Sequence, residues 1–199
     1  MKKVALTGNI GSGKSWVGAL FAGIGIPVFH SDDEAKRLYL RDDIRDAMTQ
    51  RFGPTLYLAD GSLDKASLAA IIFNDTAAMH DVEQILYPAL NAYFDQWAEL
   101  QQSPYVLYES AIIFEKRLAQ RFDAVVMVTA SEATRLRRVM LRDRCDEVAV
   151  RSRMARQWPE ETKCALADFV IRHESDDEDE ALLRRVKWVH NLLCAIPTA

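Results

Sequence analysis

The stretch Gly8-Asn9-Ile10-Gly11-Ser12-Gly13-Lys14-Ser15 follows the apolar run Val4-Ala5-Leu6-Thr7 and precedes a segment of helical periodicity. Gly, four residues, then Gly-Lys-Ser, set between a strand and a helix, is the pattern of a phosphate-binding loop. The spacing has a chemical reason. Glycines let the backbone fold round an anion with its N–H groups turned inward, and a helix starting near Gly13 adds the positive end of its dipole. In such a loop Gly8, Gly11, Ser12 and Gly13 form the cradle, Lys14 reaches the β- and γ-phosphates, and Ser15 offers a hydroxyl to Mg²⁺. The first N–H groups of a helix lack a partner within it, so those of Ser15 and Trp16 are available to the α- and β-phosphates. A bare glycine-rich turn accounts for the glycines but not for the lysine, the serine and both flanks together. A nucleoside triphosphate is the expected ligand.

Working outward, six of the eight glycines fall within the first 25 residues, so backbone freedom is concentrated round this loop. At 199 residues, 49% hydrophobic and 27% charged, the chain reads as one main domain with an elaboration. A net charge of -4 and a pI near 5.6 argue against a protein that coats nucleic acid or an anionic membrane. A polyphosphate must then be held by a local cationic site. Cys145, Cys164 and Cys194 are odd in number and lack Cys-x-x-Cys spacing, which suggests free thiols in a reducing cytoplasm rather than disulfides or zinc. Lys2 and Lys3 stand too close to Gly8 for a signal core, and no apolar run reaches a membrane span of roughly 20 residues.

Periodicity predicts a strand over Lys2 to Thr7, a helix over Gly13 to Ile24 and a short strand Ile26-Pro27-Val28-Phe29 ending at His30-Ser31-Asp32-Asp33. Ser31 or Asp32 could cap the helix through Ala35, Leu38 and Tyr39. The place also suits chemistry, because ligands of open α/β sheets lie beyond the carboxyl ends of the strands. Adjacent carboxylates cannot point the same way, so one of Asp32 and Asp33 is expected to cap and the other to face a site. Helical patterns follow over Asp42 to Phe52, Asp64 to Phe73 and Asp75 to about Leu100, with turns at Gly53-Pro54 and Ala59-Asp60-Gly61-Ser62. That insertion exceeds what a crossover needs and reads either as a lobe for the acceptor substrate or as a structural bundle.

Pro104 to Glu109 is the expected third strand, and its closing carboxylate resembles a Walker B element that reaches Mg²⁺ or its water shell. Ser110-Ala111-Ile112-Ile113-Phe114-Glu115 reads as a packed turn or pocket wall. Asp123 to Ala130 and Ala167 to Arg172 are apolar runs suited to strands covered on both faces. Between them, Ser131 to Arg156 holds eight arginines. They could pair with Glu132, Asp143, Asp146 and Glu147 in water. Alternatively Arg135, Arg138 and Arg142, on one helical face, belong to a lid that closes over transferring phosphates. An acidic run, Glu174 to Glu180, leads to a last helix, Asp179 to Leu193, and a tail, Ala195 to Ala199.

Taken in order, these stretches resemble the dephospho-CoA kinase family over nearly the whole chain. The resemblance rests on Ala5 to Ser15, Val28-Phe29-His30-Ser31-Asp32, Phe52-Gly53, Asp60-Gly61-Ser62-Leu63, Ile72-Phe73, Ile85-Leu86-Tyr87-Pro88, Ile112-Ile113-Phe114-Glu115, Arg138 to Asp143, Gln157 and Ala167 to Ile171. It implies an α/β phosphate-loop kinase fold: a five-stranded parallel sheet of order 2-3-1-4-5 flanked by helices, with a helical substrate-binding insertion and a lid. The expected division is a core of residues 1–30, 101–133 and 165–199, a helical CoA-binding part at 31–100 and a lid at about 134–164. The implied reaction phosphorylates the ribose 3′-hydroxyl of dephospho-CoA from ATP with Mg²⁺, in the cytoplasm, by a monomer or weak homo-oligomer. Asp32 then matches the family's catalytic base, Lys14, Arg138 and Arg142 serve the phosphates, and Tyr87, Glu109 and Phe114 fall among the substrate-binding positions. Departures from the family pattern are Trp16 for Thr, His30 for Asp, Tyr87 for His, Glu109-Ser110-Ala111 for Asp, an apolar residue and Pro, and His173 for Asn. Other small-molecule kinases and a nucleotide-binding module without chemistry share the loop. A GTP-driven switch would need Asn-Lys-x-Asp and Asp-x-x-Gly, and neither string occurs.

Overall fold

The computed structural model describes residues 1–73, 75–174 and 179–197. Positions 175–178 of the acidic run and 198–199 of the tail therefore lie outside the described residues. Strands β1 (Lys2–Gly8), β2 (Val28–His30), β3 (Tyr105–Glu109), β4 (Ala124–Thr129) and β5 (Phe169–Arg172) form one parallel sheet of order β2-β3-β1-β4-β5. This is the order that the resemblance implies. The helices are α1 (Lys14–Gly23), α2 (Ser31–Leu38), α3 (Asp42–Phe52), α4 (Lys65–Phe73), α5 (Thr76–Glu99), α6 (Glu132–Asp143), α7 (Glu147–Met154), α8 (Glu160–Leu166) and α9 (Asp179–Ala195). The chain separates into a sheet unit, Met1–His30 with Leu100–Ala199, and a helical unit, Ser31–Glu99.

In the sheet unit β1 lies between β3 and β4, which explains its nearly unbroken apolar sequence: a strand paired on both edges and covered on both faces has no solvent side to make polar. Val4 and Leu6 pack with Leu107 and Val126 against Val17 and Phe21 of α1 and Leu182, Val186 and Val189 of α9. Burial of side chains of this kind contributes about 1.5–3 kcal/mol each, which fixes the loop leaving β1 to a rigid base. Lys2 is buried, and its ammonium donates to the carbonyls of Leu193 and Ile196 at 2.6 Å, tying the start of β1 to the last turn of α9. The second strand begins at Val28 rather than at Ile26, because Pro27 has no N–H to give the ladder, although its carbonyl accepts from Leu107 at 2.9 Å.

The helical unit is built round α5, whose buried Ala78, Val82, Leu86, Leu90, Phe94 and Ala98 recur every four residues and receive α2, α3 and α4. Asp64 and Asp75, which periodicity includes in their helices, stand just outside them as caps. Asp64 Oδ1 accepts the N–H groups of Ala66 and Ser67, and Asp75 Oδ1 those of Ala77 and Ala78.

Candidate active site

The loop after β1 has the backbone that its glycines foretell. Gly11 and Gly13 take φ of 81° and 88°, the left-handed region that other residues enter at a cost. Space forbids a side chain as well: a Cβ on Gly11 would lie 2.5 Å from the carbonyl oxygen of Arg135, and one on Gly13 would run into the His173 imidazole. Gly8 is equally confined, with Val128 O and Ser12 Oγ where a Cβ would stand. Helix α1 starts at Lys14, so its unpaired N–H groups open on the loop. The Trp16 ring is half exposed, and its backbone stands in that first turn.

Glu109 is the centre of the side-chain arrangement. Parallel pairing puts it opposite Leu6 of β1 and His30 of β2, at the carboxyl end of the sheet, where it is only 5% exposed. Its Oε1 accepts from Ser15 Oγ at 2.7 Å and from the Lys14 ammonium, while Oε2 is bonded to His30 Nδ1. Burial alone would raise the Glu109 pKa. The Lys14 charge, with hydrogen bonds from Lys14 and Ser15 and the neighbouring His30, outweighs burial and holds the carboxyl below its ordinary value. A serine hydroxyl beside an ionised carboxylate is a pair of hard oxygen donors and suits Mg²⁺. Among the described residues no group of three or more His, Cys, Asp or Glu could hold a metal ion, so such an ion would need phosphate oxygens to complete its shell.

The arginines that share one face of α6 have separate surroundings. Arg135 is buried, donates to Ala130 O and lies 2.8 Å from Glu160 Oε2, so it joins α6 to α8. Arg138 Nη1 donates to the carbonyls of Gly11 and Ser12 at 3.3 Å and of His173 at 3.1 Å. A positive charge is thus fixed on the outer side of the loop. Arg142, 60% exposed, is paired with Asp143, which also binds Arg153. Arg151 takes Glu132 and Glu147, as the solvated pairing of the sequence anticipates.

A second set of loop contacts comes from the α7–α8 connection. Gln157 Oε1 accepts the Ile10 N–H at 2.8 Å, and Asn9 Nδ2 donates to Trp158 O at 3.1 Å. Trp158 N–H in turn reaches Glu115, which is paired with the fully buried Lys163. Sequence reasoning assigned Gln157 no role and missed Trp158, Lys163 and the part His173 plays; no local spacing signals a contact between residues 147 apart. Phe114 and Ile113 are buried, so the segment after β3 is packed against the sheet unit rather than open to solvent.

In the helical unit Asp32 and Asp33 occupy the first turn of α2, and both are exposed. Asp33 pairs with Lys36 at 2.7 Å, while Asp32 forms no ion pair or hydrogen bond among the described residues. Tyr87 is half-buried on α5, just before Pro88.

Residues 2–179 match the family model described as dephospho-CoA kinase. The chain is 34% identical over 194 residues to the dephospho-CoA kinase of Sodalis glossinidius, covering 97% of this chain and 92% of that one. It is 37% identical over 195 residues to that of Syntrophotalea carbinolica, covering 94% and 92%. Its fold is similar to the crystal structure of a Thermus thermophilus protein, with a TM-score of 0.84, 29% identity and coverage of 99% and 98%.

Proposed function

The chain belongs to the dephospho-CoA kinase family; it is a kinase that phosphorylates dephospho-CoA with ATP, the last step of coenzyme A synthesis, and we propose which of its residues do so. The observation that carries the assignment is the convergence of Lys14 and Ser15 on the buried Glu109 beside a left-handed glycine loop. Lys14 and the N–H groups of Gly13, Ser15 and Trp16 neutralise the triphosphate, whose charge shifts toward the leaving β-phosphate as the γ-phosphoryl departs. Donors already fixed by the loop need no rearrangement at that moment, which is how they lower the barrier. Ser15 and Glu109 would hold Mg²⁺ together with phosphate oxygens, and the ion supplies charge neutralisation and alignment of the β- and γ-phosphates.

Arg138 keeps Gly11 and Ser12 in place from behind. Arg142 exchanges Asp143 for phosphate oxygens, a small cost because an exposed ion pair is worth only about 0–1 kcal/mol. Asp32 follows β2 by two residues and is free of ion pairs among the described residues, so its carboxylate is available to orient the ribose 3′-hydroxyl and accept its proton. Tyr87 in the helical unit and Phe114 in the sheet unit are each assigned to acceptor binding on the family likeness alone. Small-molecule substrates are the partners, the protein acts as a monomer or weak homo-oligomer, and the unpaired Cys145, Cys164 and Cys194 suit the cytoplasm. Among the described residues no helix is long and apolar enough to cross a membrane.

Incubation with MgATP and dephospho-CoA, followed by mass spectrometry, should yield coenzyme A and ADP in equal amounts. Phosphorylation of a nucleoside monophosphate in preference to dephospho-CoA would replace this reading with that of another small-molecule kinase.

A further inference from the structure

His30 has no task in the reaction above, yet it is bonded to the carboxylate at the centre of the site. It closes β2, and the parallel ladder sets it opposite Glu109 of β3, so backbone register rather than a loop fixes its place. An edge strand such as β2 ordinarily turns polar side chains to water. His30 does more than that: its side chain is 48% exposed and that of Glu109 only 4%, so the imidazole joins solvent to a buried carboxylate. Lys14 and Ser15 of α1 bind Oε1 of Glu109, while His30 binds Oε2. Each carboxylate oxygen is thus held from a different element of the sheet unit.

The division matters because Lys14 has two partners to serve. It pairs with Glu109 in this structure, and in the proposed reaction it neutralises the triphosphate. Its departure removes a bond from Oε1. The last torsion of a glutamate is broad, so nothing in the side chain itself decides which oxygen then faces Ser15. We propose that His30 is a positioning residue: by donating to Oε2 it keeps Oε1 turned toward Ser15 while Lys14 goes to the phosphates, and the oxygen pair for Mg²⁺ stands ready. The inference rests on the reading that Ser15 and Glu109 hold the ion.

An ionised carboxylate can only accept, so His30 carries its proton on Nδ1 and donates. A neutral imidazole in that tautomer makes the bond as a charged one does, and the role needs no change of protonation. Mg²⁺ is small and keeps a near-octahedral shell with several waters, so a carboxylate with one oxygen already engaged meets it through the other. Hydrogen bonds that orient a ligating carboxylate are commonly worth about 10- to 100-fold in metal affinity.

Calorimetric titration with ATP and no acceptor, once in Mg²⁺ and once in EDTA, separates the ion's share of binding from that of the loop. His30→Ala should bind ATP in EDTA as the wild type does, while the gain in affinity that Mg²⁺ brings shrinks by roughly tenfold or more. His30→Asn offers an amide N–H near the place of Nδ1 and should recover most of that gain. In a Ser15→Ala background, where one oxygen of the pair is already gone, His30→Ala should cost much less. An equal loss with and without Mg²⁺ would make His30 a structural side chain, and an unchanged affinity would leave it a solvated edge residue; either result overturns the proposal. So would a His30→Asn protein that melts like the wild type yet recovers nothing. A wild-type protein that gains nothing from Mg²⁺ would instead overturn the metal reading itself, before any variant is compared.

Discussion

Gln157 Oε1 accepts the backbone N–H of Ile10 at 2.8 Å, so the phosphate loop is shaped by a segment that joins α7 to α8. The bond directs that one amide away from the cradle and leaves the amides nearer α1 for phosphate. The segment is itself anchored, because Trp158 N–H binds Glu115 and Glu115 is paired with Lys163, which is fully buried and also donates to Ala111 O at 3.0 Å. A buried pair of this kind is costly to break, and it gives Gln157 a fixed base from which to hold the loop.

Gln157→Leu keeps approximate size but leaves the Ile10 N–H without its acceptor, a loss of about 1–3 kcal/mol. Because the bond is made to the loop, the effect is expected chiefly in nucleotide binding: KM for ATP should rise by roughly tenfold while kcat changes less. Steady-state kinetics beside thermal melts measure this. A lower melting temperature with an unchanged KM would reduce Gln157 to packing.

Much of this arrangement is legible in the chain, for identifiable reasons. The glycine-lysine-serine spacing is local, and a strand and helix flank it, so Lys14 and Ser15 emerge from pattern alone. Sheet order does not; it came with the resemblance, since nothing in an apolar run states its neighbours. Periodicity sets Arg135, Arg138 and Arg142 at helical spacing along α6, but it cannot register that Glu160 and a carbonyl bury the first while solvent keeps the third. The Gln157 contact depends on which segments meet, and that is a property of packing rather than of spacing.

Glu109→Gln can still bond Ser15 but no longer balances Lys14 and His30. Partial exposure of those two screens the loss, which should be on the order of 1–3 kcal/mol near neutral pH. The sign with pH follows from the lowered pKa of Glu109: its contribution is complete above the unfolded carboxyl value of about 4.3 and fades as pH falls toward the lower folded value. Denaturant melts of both proteins should therefore differ most at pH 7 and converge in acid. A gap that stays constant with pH would mean that shape, not charge, makes Glu109 stabilising.

Arg138 and Arg142 should fail in different ways. Arg138→Ala strips a donor from three carbonyls and should lower both melting temperature and turnover. Arg142→Ala removes only an exposed pair, so stability should hold, whereas turnover should fall by roughly 10²-fold if the guanidinium meets the transferring phosphoryl. Near-normal turnover of Arg142→Ala would return it to the solvated face of α6.

Asp32 gives the sharpest prediction, because the structure separates it from its neighbour. Asp33 is paired with Lys36, while Asp32 forms no such bond among the described residues, although both lie in the first turn of α2. Asp32→Asn keeps size and most capping ability, so any loss to the helix should be at most about 1 kcal/mol. If the carboxylate takes the 3′-hydroxyl proton, turnover should fall by roughly 10² to 10⁴-fold with the KM for ATP nearly unchanged. A metal role would instead weaken MgATP and shift the Mg²⁺ dependence of the rate. Phosphoryl transfer is commonly loose, with little proton movement at its transition state, so a smaller fall in turnover would make Asp32 an orienting group rather than a base. Asp33→Asn breaks one exposed pair and should be almost silent in both activity and stability. If Asp33→Asn proves the more damaging change, the catalytic carboxylate has been placed one residue too early.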